Sequence, residues 1–477
     1  MNREILKTLL LAFLVIMSIY FSKGLWDRTV HNSSESHREK INVNDPNKKK
    51  YELSDVIVPQ KILVNFSENN RTVIYSKDEY DLWDEGKKSL DSVFNDKNLR
   101  TSRLSKEKYN ELSSNKSINF QFSEALYTNM IGKILGIEIP KDIYKNIETI
   151  NSIYFSLSEE SFIVISNDKD RLMIKSSTID LKRLKSIIYE LENSEYTNFY
   201  KLEEVLGIKS DVYIPVNTKN IIPSIHISKR YNIDGETKID DNMAELFFDK
   251  GIEYIKKIEE NNGSSIYIDG DNILKIYPDG RLEYMGPIEN NNENNLYSSL
   301  KKAVDFITDH MGWPENVYLS SINNKNLDGE DSKGYVFTFR YKLNGFTVMS
   351  NREDIQDKIE VEVVNGSVIS YKSRIWNNMD IYNNRYRDSS DPILSAFEII
   401  DDNFLFLKEK YLQNINSNTK DINSEDINDK VKNSITDVYL AYYGDLAGGQ
   451  EILQPVWVIE ILGDKYVFDA YSGEVKS

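Results

Sequence analysis

The most apolar stretch of the chain stands near its start. Thr8 through Ser22 (TLLLAFLVIMSIYFS) carries no charge and is bounded by Lys7 and Lys23. As a helix it spans ~22 Å, short of a ~30 Å hydrocarbon core. Ile5 to Trp26 reaches ~33 Å when both lysines snorkel outward and Tyr20 and Trp26 sit near the far interface. The pattern predicts a transmembrane helix over residues 8–26, with residues 1–7 cytoplasmic because Arg3 and Lys7 precede the apolar run. A cleaved signal peptide is the competing reading, since its apolar region is typically this short; against it, only Ser22-Lys23-Gly24 stands where an A-x-A-like site is needed. No second stretch approaches spanning length, so the remainder is expected on one side of the membrane, outside the cell.

Within the apolar run the small residues share a side. At 100° per residue Thr8, Leu11, Ala12, Val15, Ser18, Ile19 and Ser22 fall in one arc of about 120°. Leu9, Leu10, Phe13, Leu14, Ile16, Met17, Tyr20 and Phe21 occupy the other. Small faces let helices approach closely in lipid, so this arc is the candidate partner-contact face. The plain alternative is a helix that only anchors.

Residues 27–51 are polar, with Lys48-Lys49-Lys50 read as a solvated run on a flexible stalk. From there the pattern turns globular. VIVPQKILVNF and RTVIY, separated by Glu68-Asn69-Asn70, predict a hairpin. Apolar spacing predicts helices over Asp78–Phe94, Glu124–Leu135 and Leu181–Leu191, and strands at 118–122, 152–156 and 161–166. A first α+β domain is thus expected over 52–207. A middle α+β domain, 208–292, carries strands at Val212–Val216 and Ser224–Tyr231, a helix at Asn242–Phe248, and three short strands turning at Asp269-Gly270 and Asp279-Gly280, both hairpin signals. The last block, 293–477, reads as two units, each a helix followed by an antiparallel meander. Leu296–Met311 leads strands at 317–322, 334–343, 346–349, 359–364 and 367–371. Ile393–Leu412 leads strands at 435–443, 456–462 and 465–469, with Asn416–Lys430 a polar, mobile loop. The fold class is α+β.

Composition removes several functions. The 477 residues hold 59 Lys plus Arg against 76 Asp plus Glu, a net charge of −17, which disfavours nucleic acid as a partner. Cysteine is absent, so thiol nucleophiles, Cys-ligated metals and disulfides are excluded. With 40% hydrophobic and 11% aromatic residues, the chain is not intrinsically disordered.

Candidate chemistry is sparse. Asp269-Gly270-Asp271-Asn272 approaches a calcium loop, but Ile273 occupies the third ligand position. His310 sits at a helix end, where capping explains it. His226 alternates with Ile225 and Ile227 and reads as a solvent-facing strand residue. Gly444–Gly449 lacks the Walker lysine and reads as a hairpin loop. No nucleophile–base motif occurs, so no catalytic residue, metal site or cofactor is expected. Carboxylate-based glycosidase chemistry, which has no short signature, stays open.

The order of segments resembles the YycH family of membrane-anchored regulators of the WalK/WalR (YycG/YycF) two-component system. The carrying runs are Leu25-Trp26 and SDVIVPQKILVNF, then LFFDKGIEYIKKIEENNGSSIYIDGDNILKIYPDGRLEYMGP, FITDHMGWPENVYLSSI, GYVFTFRYKLNGFTV and IEVEVVNGSVISYKSRIW. LQPVWVIEILGDKYVFDAYSGEV is similar to the terminal hairpin of YycI and loosely to PepSY-type modules. The resemblance implies a three-domain extracytoplasmic body on one membrane helix, and regulation of the sensor kinase WalK together with a YycI-like partner through transmembrane contacts. It carries no catalytic residues over. Two other functions stand beside it, a wall-facing PepSY-like binding or peptidase-inhibitor module and a carboxylate-based wall hydrolase.

Overall fold

The computed structural model describes residues 51–75, 79–208, 211–215, 225–228, 241–288, 295–314, 317–326, 333–350, 358–374, 392–415, 424–444 and 450–476. The chain divides into Met1–Lys49 and Lys50–Ser477, and the described residues all belong to the second unit. The expected membrane helix, the stalk and the contact face Thr8, Leu11, Ala12, Val15, Ser18, Ile19 and Ser22 lie outside them. Among the described residues no helix is long and apolar enough to cross a membrane.

The N-terminal part is a seven-stranded sheet built from β1 (Lys61–Ser67), β2 (Asn70–Ile74), β3 (Arg100–Arg103), β4 (Ser117–Tyr127), β5 (Thr149–Ser156), β6 (Ile163–Ser166) and β7 (Arg171–Lys175). Its order is β2-β1-β4-β5-β6-β7-β3, and each pairing is antiparallel. Alternation gives it two buried faces. Ile62, Val64, Phe120 and Phe155 join the core of helices Leu82–Phe94 and Lys182–Glu192. Tyr154, Phe162 and Val164 point the other way, where Tyr109 and Leu112 of helix Lys106–Ser113 cover them.

Two expectations shift here. The run expected as a strand from Val56 opens instead with a short helix, Leu53–Val56, and pairing starts at Lys61, after Pro59. The helix expected from Glu124 begins at Thr128, because Leu126 and Tyr127 stay in register with Ile150 and Thr149. Thr128 anchors that boundary, its N–H donating to Glu148 O (2.8 Å) and its hydroxyl to Ile147 O (2.7 Å).

A second sheet of thirteen strands contains β10 (Ile225–Ser228), β11 (Lys256–Glu259), β12 (Ser265–Asp269), β13 (Asn272–Ile276), β14 (Arg281–Met285), β15 (Val317–Asn326), β16 (Lys333–Leu343), β17 (Phe346–Ser350), β18 (Lys358–Val364), β19 (Ser367–Arg374), β20 (Ile435–Gly444), β21 (Gln450–Ile461) and β22 (Asp464–Asp469). β8 (Phe199–Lys201) and β9 (Tyr213–Pro215) form a separate two-stranded ribbon. The expected boundary at residue 292 does not interrupt the large sheet: β14 pairs with β19, Leu282 opposite Ser373 and Tyr284 opposite Tyr371, and β10 pairs with β21. The reason is burial. Leu274, Leu282 and Tyr284 lie on one face of the short strands, and an isolated small hairpin set has nothing to cover such a face. Here Phe306 of helix Leu296–Met311 packs on Tyr284 and Tyr371.

The last block also departs from expectation. Ile393–Leu412 is two helices, Ala396–Asp402 and Phe404–Asn414. The break is at Asn403, whose amide donates to Ile399 O (3.0 Å) and Gly473 O (2.9 Å). Within the stretch expected as a polar loop, 416–423 lies outside the described residues, but Ser424–Asn433 is a helix. Ile427 and Val431, four apart, give it a buried stripe against β20. One ladder is parallel, Thr347–Ser350 of β17 along Ala441–Gly444 of β20.

Candidate functional site

Where the two large sheets meet, the structure holds a cavity of about 380 Å³, at the small end of the ~300–1,000 Å³ typical of ligand pockets. Its walls come from three places far apart in sequence. β2, the edge strand of the first sheet, supplies Thr72 to Ile74. The end of helix Lys182–Glu192 and the β8–β9 ribbon supply Glu195, Tyr196 and Tyr213. β20 and β21 supply Val438, Tyr439, Leu440 and Trp457.

Local chemistry fixes these walls. Tyr75 leads out of β2 and meets Phe199 at 6.4 Å and Phe346 at 5.2 Å between ring centroids. Phe346 follows the Asn344-Gly345 turn between β16 and β17, where both residues have positive φ (48° and 84°), the Asn-Gly hairpin geometry. Only glycine fits there for a second reason: a Cβ on Gly345 would stand 2.6 Å from the Cβ of Tyr75. Trp457 is buried, its indole N–H donating to Leu394 O at 2.9 Å. At the mouth, Tyr80 is 44% exposed and held at φ 63°, a conformation that costs a non-glycine residue ~1–3 kcal/mol and is common at functional sites.

The walls carry charges of both signs. Burial raises the Tyr75 hydroxyl well above its usual pKa, and the charge of Asp437 adds to it. Tyr439 is raised by burial, then by Glu460 and Asp437, and it donates to Glu460 Oε1 at 3.1 Å. Glu460 is paired with Lys465 (2.9 Å), whereas no ion pair forms at Glu195 or Asp437 among the described residues. Arg71 and Lys201 lie 5.5 and 5.8 Å from the Tyr213 ring centre, and Arg71 is bound to Glu204 (3.1 Å).

A half-buried lysine stands at the same junction. Lys342 of β16 donates to Gln60 O at 2.8 Å and lies 4.5 Å from the Tyr318 ring centre. Tyr318 shares a 3.0 Å hydrogen bond with Thr347. Burial, and then the charge of Lys61, bring the Lys342 ammonium down to about 7.

The residues singled out in the sequence do not gather at this cavity. His310 lies in the last turn of its helix, Nδ1 2.7 Å from Phe306 O and its ring stacked 4.0 Å from that of Phe306, while Gly312 caps the end. Asp269 pairs with Lys250 (2.7 Å) and Asp279 with Arg281 (2.8 Å). His226 lies in β10, opposite Ile452. Among the described residues no group of three or more His, Asp or Glu could hold a metal ion. Of Gly444–Gly449, only Gly444 is described, at the end of β20.

Comparison with known proteins adds the following. Residues 4–196 match the family described as YycH protein, N-terminal domain. The crystal structure of YycH from Bacillus subtilis is similar in fold, with a TM-score of 0.54 at 14% identity, over 88% of this chain and 98% of that one. An uncharacterized protein from Eubacterium rectale matches with a TM-score of 0.32 at 12% identity, over 56% of this chain and 91% of its own. No curated protein matches.

Proposed function

We propose, for a chain that belongs to the YycH family, that it is a membrane-anchored regulator of the WalK/YycG sensor kinase, acting with a YycI-like partner rather than by catalysis. The family is one of regulators of that system. The observation that carries the reading further is the extent of the match: it begins at residue 4 and so takes in the apolar run together with the first domain. Arg3 and Lys7 orient the helix with its N-terminus in the cytoplasm and the body outside. The face of Thr8, Leu11, Ala12, Val15, Ser18, Ile19 and Ser22 then meets the partner helices, where Ser and Thr hydroxyls contribute ~0.6–2 kcal/mol per interhelical contact.

The test compares two faces of the helix at matched expression. Ala12→Leu with Ser18→Leu should abolish co-purification with the kinase and deregulate a reporter of its output. Phe13→Leu with Phe21→Leu should leave both nearly intact. Equal effects from the two pairs, or normal signalling after exchange for an unrelated span, refute contact through this face. Topology is checked separately: Ser34→Cys in this cysteine-free chain should react with an impermeant maleimide on intact cells, and Asn2→Cys should not.

A wall-facing binding module is the second reading, and the aromatic cavity favours it. It requires no membrane helix, so release of the body from the anchor separates it from the first.

A further inference from the structure

The cavity lies between two strand edges that have no strand partner there. Arg71 of β2 sends its N–H out of the ladder, to Asn198 Oδ1 at 2.9 Å. In an antiparallel pair, backbone groups alternate between facing the partner and facing away. Val73, two residues on and still in register opposite Leu63, therefore also turns its N–H and C=O away from β1, and it lines the cavity.

The same parity holds on the opposite wall. Pro455 O accepts from Ala470 N (3.1 Å), so Pro455 faces β22 and its partner Tyr442 faces away from β21. Val438 and Leu440 share that direction. β17 takes up this edge along Ala441–Gly444, and its Thr347–Ala441 register engages the carbonyl of Leu440, which leaves Val438 beyond its reach, lining the cavity. Val438 N–H is met instead by the carboxylate of its own neighbour, Asp437 (2.9 Å). The β8–β9 ribbon adjoins both edges and pairs with neither.

We propose that this cavity binds an extended peptide segment bearing a basic side chain, held by the outward backbone groups of Val73 and Val438 and by the aromatic walls. Strand addition supplies backbone hydrogen bonds, and pockets for alternate side chains supply selectivity. A saccharide could stack on Tyr75 or Trp457, but it does not reproduce the alternating donors and acceptors that two strand edges present. The sign of the side chain follows from Glu195 at the wall and Asp437 behind it, neither with a cationic partner among the described residues, whereas the ring faces of Tyr213 and Tyr439 already hold Arg71, Lys201 and Lys465. The site goes beyond the regulatory reading and does not depend on it.

The test uses the full chain in lipid nanodiscs and fluorescence anisotropy with three probes: the blocked peptides Ac-IKVKI-amide and Ac-IEVEI-amide, and chitotetraose as a competitor. The basic peptide should bind at least about fivefold more tightly than the acidic one. Glu195→Lys, an exposed substitution, should remove that preference. Val73→Pro deletes an N–H that makes no ladder bond, which an edge strand tolerates, and should weaken binding about three- to tenfold; circular dichroism confirms that it folds. Equal affinity for the two peptides, no binding of the basic one up to about 1 mM, or indifference to both substitutions overturns the proposal. Displacement by chitotetraose with no peptide selectivity assigns the cavity to a glycan and overturns it equally. None of these readouts involves the kinase, so the site and the regulatory function fail separately.

Discussion

Replacing Lys342 by methionine should stabilise the protein below neutral pH and lose that advantage as the pH rises. The ammonium is held at the junction of the two sheets by Gln60 O and the face of Tyr318, with no carboxylate paired to it, and burial followed by Lys61 brings its pKa from 10.5 to about 7. A lysine depressed in the folded state takes up a proton on unfolding throughout that interval, so it contributes stability that is fully present above pH 10.5 and lost as the pH falls toward 7. At 1.36 kcal/mol per pH unit the whole drop is a ceiling of ~5 kcal/mol. Two effects reduce it. The side chain is only partly buried, so water screens the cation, and the Tyr318 face offsets ~1–2 kcal/mol. Methionine also leaves Gln60 O without its donor, at a cost of ~1 kcal/mol. The net expectation is a variant ~1–2 kcal/mol more stable at pH 6 and equal to or below the parent at pH 10. Urea unfolding of the full chain in detergent, followed by tryptophan fluorescence from pH 6 to 10, measures this. A difference that stays constant with pH refutes the reasoning, because no other consequence of the substitution tracks the titration of this amine.

Gly345→Ala should cost about 2 kcal/mol or more, since it combines φ 84° with a Cβ placed 2.6 Å from that of Tyr75; a change of thermal midpoint within error would contradict the packing described at the turn. Asn403→Ala removes two side-chain hydrogen bonds, to Ile399 O and Gly473 O, and should lower stability by ~1–2 kcal/mol. Hydrogen exchange should accelerate most over 396–406, and uniform acceleration elsewhere would show that Asn403 does not hold the break between the two helices.

Local elements were largely legible in the sequence, because their causes are local. Leu296–Met311 shows its apolar stripe, with Asn295 capping one end and Gly312 closing the other. The Asp-Gly turns after β12 and β13 are written in adjacent residues. What escaped depends on pairing at long range. Nothing in IHIS announces that it lies along Gln450–Leu453, and nothing in FTVMS announces a parallel partner near residue 441. The break at Asn403 needs a carbonyl seventy residues away. The cavity was illegible for the same reason: its walls join residues near 73, 196, 213, 438 and 457. Lys342, between Tyr341 and Leu343 in an alternating strand, carries no mark of its partial burial. The membrane helix expected over residues 8–26, like its assigned face, lies outside the described residues.

The gap between β2 and β20 has a further physical consequence. An unpaired strand edge invites non-specific pairing, and proteins usually cover one with a helix, a loop or an inward charge. Here the β8–β9 ribbon adjoins the edge without pairing with it, which leaves the edge's outward donors and acceptors unpaired with a strand. Val438 N–H already has an acceptor in Asp437. A peptide carbonyl arriving there exchanges one hydrogen bond for another, which contributes little net free energy. It also frees the Asp437 carboxylate, which then needs a positive partner. The exchange is therefore favourable for a segment that brings a basic side chain and unfavourable for an acidic one, which would strand a second carboxylate beside the first. Selectivity between the two peptides should accordingly exceed what the number of backbone hydrogen bonds would give, and Asp437→Asn, which relieves the carboxylate while keeping an acceptor, should shrink that selectivity with little loss of affinity for an uncharged peptide of the same length.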